Sequence, residues 1–349
     1  MTQITVEVSF PVILDILSIS TSLMLGLLFM FSKTNNRKAN VFLGLFLLSL
    51  SIEVFEVFLQ SVDNIELKVI QTSLFTIPFL FIYVNQTLNM KMTWMFILLF
   101  IPGFLLNIYV INFSFFNYFE YVFNICLLVF ILKILKSHQQ KVGDYYSDIE
   151  HKTLSWLKAI VFIFLSFHAF WIFEDFVGIQ NEDWAQWFPL ISTIFTFFMI
   201  FWIGHNGFSQ SEIFTLRLFQ LGKKELNVTE ITSKGIQKFE SISEMILQEK
   251  YFTNPNLNLR TLSIHLNLKE KELSKLINLH TEKNFYHYIN QFRVNEFKES
   301  LRLPKAKQLT LLGLAEEAGF SSKSTFYTAF KNLEGLTPKQ FQNQLKKSE

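Results

Sequence analysis

The chain has little of what supports covalent or nucleotide chemistry. One cysteine, Cys126, stands in 349 residues, which excludes an internal disulfide framework and any zinc site built from several thiolates. Only 12 glycines are present. None falls in a G-x-G-x-x-G or P-loop pattern, so nucleotide-binding chemistry has little support. No H-E-x-x-H pair gives metal-ligand spacing, and no Ser/His pair forms a recognisable nucleophilic site. No catalytic residue, metal or cofactor is therefore expected. Residues 1–9 carry no Lys or Arg, and the apolar run after them is too long for the h-region of a cleavable signal.

What is present is apolar. Half of the residues are hydrophobic and 42 are Phe, and the mean hydropathy is +0.29. The formal charge of +2 hides a division. Residues 1–204 carry 10 Lys and Arg against 14 Asp and Glu; residues 205–349 carry 21 against 15. Of the 42 Phe, 30 precede position 205. Two chains of different character have been joined.

Seven apolar stretches run through the first part, at about 10–31, 40–59, 69–88, 94–112, 119–135, 157–176 and 188–204. Each is near the ~20 residues that cross ~30 Å of hydrocarbon as a helix. Barrel strands would alternate apolar and polar residues, which these do not. Loop charge sets the orientation. Lys33, Arg37, Lys38, Lys91, Lys133, Lys136, Lys141, Lys152 and Lys158 flank loops of one parity, and Lys68 alone flanks the other. The expectation is a seven-pass bundle with its N-terminus outside and residues 205–349 in the cytoplasm of a bacterium, the bilayer being the inner membrane.

That topology places Asp15, Glu53, Glu56, Glu120, Glu174 and Asp175 in the outer half of the bundle, with no Lys or Arg there to balance them. Intramembrane carboxylates are costly and face cavities or partners. One reading is an outward-facing acidic pocket for a cation, a basic ligand or protons. The plainer one is solvated helix ends, with only Glu53 deep. His168, in the sixth stretch, is either a pH-responsive group or a packing residue.

From about 205 to 249 the apolar runs give way to a juxtamembrane linker, with a helix near 235–250 bearing Ile236, Phe239, Ile242, Ile246 and Leu247. Beyond it lies a repeat. LNLRTLSIHLNLKEKELSKLIN (257–278) and LTLLGLAEEAGFSSKSTFYTAFK (309–331) match at an offset of 52 residues. Leu259 falls on Leu311, Leu262 on Leu314, Ser263 on Ala315, Asn267 on Gly319 and Leu268 on Phe320; after one extra residue Leu273 falls on Phe326 and Ile277 on Phe330. Small Ser263 and Ala315 let a second helix cross closely, and Asn267 or Gly319 takes the positive φ of the turn. Lys271 and Lys275, and in the second copy Lys323, Tyr327 and Lys331, lie on the opposite faces. This is the layout of a helix-turn-helix that reads DNA, made twice. Between the copies, residues 284–303 form a helix whose buried stripe is Phe285, Ile289, Phe292 and Phe297, with Arg293 and Lys298 off it. A last helix starts with Thr337 as N-cap, Pro338 at N1 and Gln340 at N3.

The run FYHYINQFRVNEFKESL, then LAEEAGFSSKSTFYTAFKNLEGLTPKQF, resembles the DNA-binding domain of the AraC/XylS transcription regulators, over about residues 250–345. The elements carrying the resemblance are Gly319-Phe320, Ser324-Thr325-Phe326, Phe330-Lys331 and Gly335-Leu336-Thr337-Pro338. Fused to an apolar multi-pass half, the chain is also similar in architecture to membrane-embedded AraC-type regulators of Bacteroidetes. The resemblance implies two helix-turn-helix units held by the long helix, each placing its second helix in one of two successive major grooves. By position it implies readout from Glu270, Lys271, Glu272 and Lys275 in the first unit. In the second the positions are Ser321, Ser322, Lys323, Ser324, Tyr327, Thr328 and Lys331. Lys323, Tyr327 and Thr328 are assigned to bases, Lys331 and Ser324 to phosphate. Thr328 stands where the family often has Arg, Asn267 where it has Gly, and Ser263 where it has Ala.

The reading is an all-α chain in three parts: a transmembrane domain at 1–204, a linker at 205–249 and a double helix-turn-helix domain at 250–349. It is a one-component regulator whose partners are promoter DNA and the lipid bilayer, with RNA polymerase and a second copy as further candidates and a sensed ligand of unknown identity. The alternative is a receptor or transporter whose cytoplasmic part binds a protein. Pro78, Pro102 and Pro189 lack the matched positions of a transporter repeat.

Overall fold

The computed structural model describes residues 9–32, 36–62, 72–90, 93–108, 115–149, 153–177, 187–211 and 233–348. The chain divides into two compact units, one of residues 1–135 with 155–219, the other of residues 136–154 with 220–349. Among the described residues there is no strand; one antiparallel bridge pairs Tyr146 with Asn258.

The first unit contains α1 (Phe10–Phe31), α2 (Arg37–Val62), α3 (Ser73–Thr87), a 3-10 turn at Trp94–Phe100 leading into α4 (Ile101–Ile108), most of α5 (Phe115–Tyr145), α6 (Ser155–Val177) and α7 (Trp187–Ser211). Among the described residues, five helices are long and apolar enough to cross a membrane: α1, Arg37–Leu59 of α2, Tyr118–Tyr145 of α5, Ser155–Phe173 of α6 and Leu190–Phe208 of α7. The third apolar stretch forms the 15-residue α3, and the fourth is split between the 3-10 turn and α4.

Helices α1 and α2 approach closely because small residues face each other. A Cβ on Gly44 would stand 2.5 Å from the Gly26 carbonyl oxygen, so only glycine allows the backbones to meet there. The Ser51 hydroxyl donates to the Ile19 carbonyl at 3.1 Å, and Ser49 and Thr76 hydroxyls join α2 to α3 at 2.8 Å. Ile97, Phe104, Phe195, Phe198 and Phe201 are exposed. Water would penalise that apolar surface, whereas hydrocarbon does not.

The second unit packs α8 (Ser233–Gln248), α9 (Leu259–His265), α10 (Glu270–Thr281), α11 (Phe285–Arg302), α12 (Leu311–Glu317), α13 (Lys323–Glu334) and α14 (Pro338–Ser348). Its apolar residues form two clusters. Ile242, Ile246, Phe252, Leu262, Leu273, Ile277, Phe285 and Ile289 belong to the first. Val294, Phe297, Leu314, Ala315, Phe320, Phe326 and Phe330 belong to the second. Helix α11 enters both: its first half is buried in one and its second half in the other, so one rigid rod joins the two copies of the repeat. Ile242 and Ile246 of α8 lie in the first cluster, whereas Ile236 and Leu247 are exposed. Helix α14 starts as its sequence predicts, with Thr337 N–H donating to Gln340 Oε1 at 2.9 Å and Gln340 N–H to Thr337 Oγ1 at 3.3 Å.

Arg293 departs from the sequence expectation. The sequence pattern leaves it off the buried stripe of α11, yet it is fully buried. Spacing of four carries it onto the row of Ile289 and Phe297, and its guanidinium is accommodated by acceptors on every side. Nε donates to Phe252 O at 2.7 Å, Nη1 to Asn290 Oδ1 at 3.1 Å, and Nη2 to Asn254 O at 2.8 Å and Ser147 Oγ at 3.0 Å. Lys298 is half-buried instead, bonded to Glu334 at 2.9 Å with its Nζ 5.7 Å from the Phe341 ring centre.

Candidate nucleic-acid interface

The two copies of the repeat fold alike down to single hydrogen bonds. Asn267 and Gly319 both hold positive φ, at 53° and 99°. In the first turn Asn267 N–H donates to Ile264 O at 3.1 Å and Leu268 N–H to Ser263 O at 2.8 Å. In the second, Gly319 N–H donates to Glu316 O at 2.9 Å and Phe320 N–H to Ala315 O at 3.0 Å. Every partner is displaced by 52 residues, so the offset read in the sequence is an offset of geometry. Ser263 and Ala315 are both buried where the second helix crosses.

The first helices of the copies are short, seven residues each, and both are capped. Asn258 and Thr261 exchange a reciprocal capping box around the start of α9, and Gly313 N–H donates to Thr310 Oγ1 at 3.0 Å at the start of α12. The second helices, α10 and α13, each bury one face: Leu273 and Ile277 in α10, Phe326, Ala329 and Phe330 in α13. This turns the remaining residues outward. Lys271 and Lys275 are exposed on α10. On α13, Lys323, Ser324, Thr328 and Lys331 are exposed and Tyr327 is half-buried, with Lys323 Nζ 5.6 Å from the Tyr327 ring centre. Ser322 is the N-cap of α13 and accepts the Thr325 N–H at 3.2 Å. The Ser321 hydroxyl donates to the Asp148 carboxylate.

Helix α13 therefore presents two cations, a phenol and two hydroxyls along one exposed edge beginning at a capped N-terminus. Such an edge matches both phosphate oxygens and base edges. Helix α10 is less basic. Lys238 Nζ lies 2.5 Å from Glu272 Oε1, and this hydrogen bond holds the Glu272 carboxyl below the usual carboxylate range.

Residues 262–344 match the family model of a helix-turn-helix domain. The domain is of the AraC type, found in DNA-binding transcription regulators. No curated protein matches the chain, and no solved structure does. The helix-turn-helix match begins inside α9 and ends inside α14, so it takes in both turns and the outward faces of α10 and α13.

The acids of the first unit converge in part. Asp15 is buried and accepts from Thr193 Oγ1 at 3.2 Å; Glu53 accepts from Thr76 Oγ1 at 3.2 Å. Both line one cavity of about 100 Å³, walled by Phe164, Phe167 and Trp171. Glu56 accepts from Thr72 at 3.5 Å and Glu120 from Ser73; neither lines that cavity. His168 is buried, its Nδ1 2.8 Å from the Phe164 carbonyl and its ring in edge contact with those of Tyr121 and Trp171. The Glu174 and Asp175 side chains lie outside the described residues. Among the described residues no group of three or more His, Cys, Asp or Glu is placed to hold a metal.

Proposed function

We propose that the chain is a membrane-embedded, one-component transcription regulator. Seven crossings carry it from an outer N-terminus to a cytoplasmic DNA-binding unit in the inner membrane of a bacterium. Two helix-turn-helix units then read successive major grooves of promoter DNA. In the second unit Lys323, Tyr327 and Thr328 meet base edges, while Lys331 and Ser324 meet phosphate; in the first, Lys271 and Lys275 supply the positive contacts. Ser321 and Ser322 sit at the N-terminus of α13, where backbone N–H groups also favour an approaching phosphate. The carrying observation is the exposed Lys323–Lys331 edge inside a helix-turn-helix domain whose chain has, among the described residues, five helices of membrane-crossing length.

Sensing belongs to the first unit in this reading. Asp15 and Glu53 share a cavity with aromatic walls, a setting that suits a small cation or a protonated amine. Glu56, His168 and Glu174 surround that function as candidates for tuning it.

The test is crosslinked immunoprecipitation of chromosomal DNA with the full-length chain, beside a Lys323→Glu/Lys331→Glu variant of equal abundance. Discrete sites enriched by the native chain and lost in the variant are expected. Equal recovery by both would remove α13 from the DNA interface. Asp15→Asn/Glu53→Gln, run in parallel, is expected to alter the occupancy of the same sites without changing which sites they are.

A further inference from the structure

The second unit is not made from the C-terminal residues alone. Helix α5 is unbroken from Phe115 to Tyr145, and the chain then passes directly through Tyr146, Ser147 and Asp148, which are all buried. Within these three residues the segment meets four parts of the DNA-binding unit. Tyr146 forms the antiparallel bridge with Asn258, the N-cap of α9. Ser147 donates twice to the Leu257 carbonyl, from its N–H at 3.3 Å and its hydroxyl at 2.6 Å. Its own carbonyl accepts from Asn290 Nδ2 at 3.1 Å and Arg293 Nη1 at 3.4 Å, and its hydroxyl from Arg293 Nη2 at 3.0 Å. Asp148 then reaches the second copy of the repeat, accepting from Thr325 Oγ1 at 3.0 Å and from the Ser321 hydroxyl.

Two features set this apart from a loop resting on a surface. Arg293 is a cation with no access to water, and two of its acceptors are on Ser147; withdrawing the segment leaves buried donors without partners, which costs far more than the contacts add. Asp148 brings the formal charge that offsets it. Burial drives the guanidinium down to about 10, and the Asp148 charge opposes that fall. In addition, the two donors to Asp148 lie on either side of Ser322, the N-cap of α13. The carboxylate thus fixes where the second recognition helix starts, relative to α11 and α9.

We propose that residues 146–148 are a built-in arm of the DNA-binding unit, with Ser147 and Asp148 as positioning residues that hold α13 in its reading position. The effect on DNA rests on the function proposed above; the docking of the arm does not. The unit that binds promoter DNA is then tied to the membrane half at two places in the chain, and cutting residues 212–232 does not free it.

The docking is tested without DNA. A site for a specific protease is placed within 212–232 of the full-length chain, in native membranes. After cleavage, the fragment carrying residues 233–349 is expected to sediment with the membranes. With Asp148→Ala and Ser147→Ala together it is expected in the supernatant. Release of the native fragment would overturn the arm.

Function is tested with the uncut chain in lipid nanodiscs, on a promoter fragment recovered by the immunoprecipitation above. Asp148→Ala is expected to weaken binding about tenfold, in line with losing hydrogen bonds to a charged group. Asp148→Asn, which keeps one acceptor oxygen, falls between Ala and the native chain. Thr325→Val, at a buried residue outside the proposed DNA contacts, weakens binding in the same direction, and Asp148→Ala/Thr325→Val loses less than the two single losses added together, because they share one contact. Amide hydrogen exchange over 311–334 reports whether α12 and α13 stay folded in each variant. Native-level affinity in Asp148→Ala, additive losses, or a loss matched by complete exchange of 311–334 would each overturn the positioning role. No binding by the native chain would instead refute DNA binding, leaving the protease result to judge the arm.

Discussion

Gly319 and Asn267 occupy the same place in the two turns, yet they tolerate change differently. A Cβ on Gly319 would stand 2.4 Å from the Phe252 carbonyl oxygen and 2.7 Å from Thr253 Cα. Both are backbone atoms and neither can swing aside. Gly319→Ala therefore combines a left-handed φ with a fixed clash, and a loss of about 2–4 kcal/mol is expected. It is read as faster amide exchange across 311–334 in the full-length chain. Asn267 already pays for its φ of 53°, so Asn267→Gly is expected to gain at most about 1 kcal/mol, seen as slower exchange across 259–281. The sequence offset located both residues because a positive φ is a demand that few residue types meet. Arg293 was misread for the converse reason. Its charge suggested solvent, although Ile289 and Phe297, four residues to either side, mark the row it occupies. Only acceptors that lie outside α11, on residues 147, 252 and 254, make that burial tenable.

Helices of seven residues do not hold themselves together, because so few internal hydrogen bonds cannot offset nucleation. Helices α9 and α12 are of this kind, and their N-caps matter accordingly. Asn258→Ala breaks the capping box and is expected to cost about 1 kcal/mol; Thr310→Ala, losing one bond of 3.0 Å, is expected to cost the same or less. Exchange should rise in the capped helix and leave the other copy unchanged, since each copy has its own cluster. Loss of protection in both copies would mean that α11 transmits the damage. At this scale the sequence was largely readable. Thr337-Pro338-Lys339-Gln340 announces α14 through residue types that do one job. The box at α9 passed unread, since Thr261 takes the position usually held by Glu or Gln. No local pattern marks the arm: its partners lie 110 to 177 residues away, beyond any spacing that a helix or a turn imposes.

For the molecule as a whole, the useful quantity is not the net charge of the C-terminal part but which of its cations are already engaged. Lys238, Lys250, Lys298 and Lys305 pair with Glu272, Glu296, Glu334 and Glu317. Among the described residues, no ion pair holds Lys271, Lys323 or Lys331. Each phosphate neutralised by a free cation releases counterions, giving a salt slope of about −0.9 per contact on duplex DNA. With few uncommitted cations on α10 and α13, the slope for this chain is expected to be shallow. Lys331→Gln should reduce its magnitude by about 1 and weaken binding to every sequence alike. Lys305→Gln removes the same formal charge from a cation bonded to Glu317 at 2.6 Å, and should leave the slope within error of the native one. Titrations of the full-length chain in nanodiscs at several salt concentrations separate the two. If both substitutions lower the slope equally, the domain binds DNA through its overall charge and the edge of α13 has no special place in it. If only Lys331→Gln does so, the phosphate contact is local to α13, the helix whose N-terminal residues Asp148 holds.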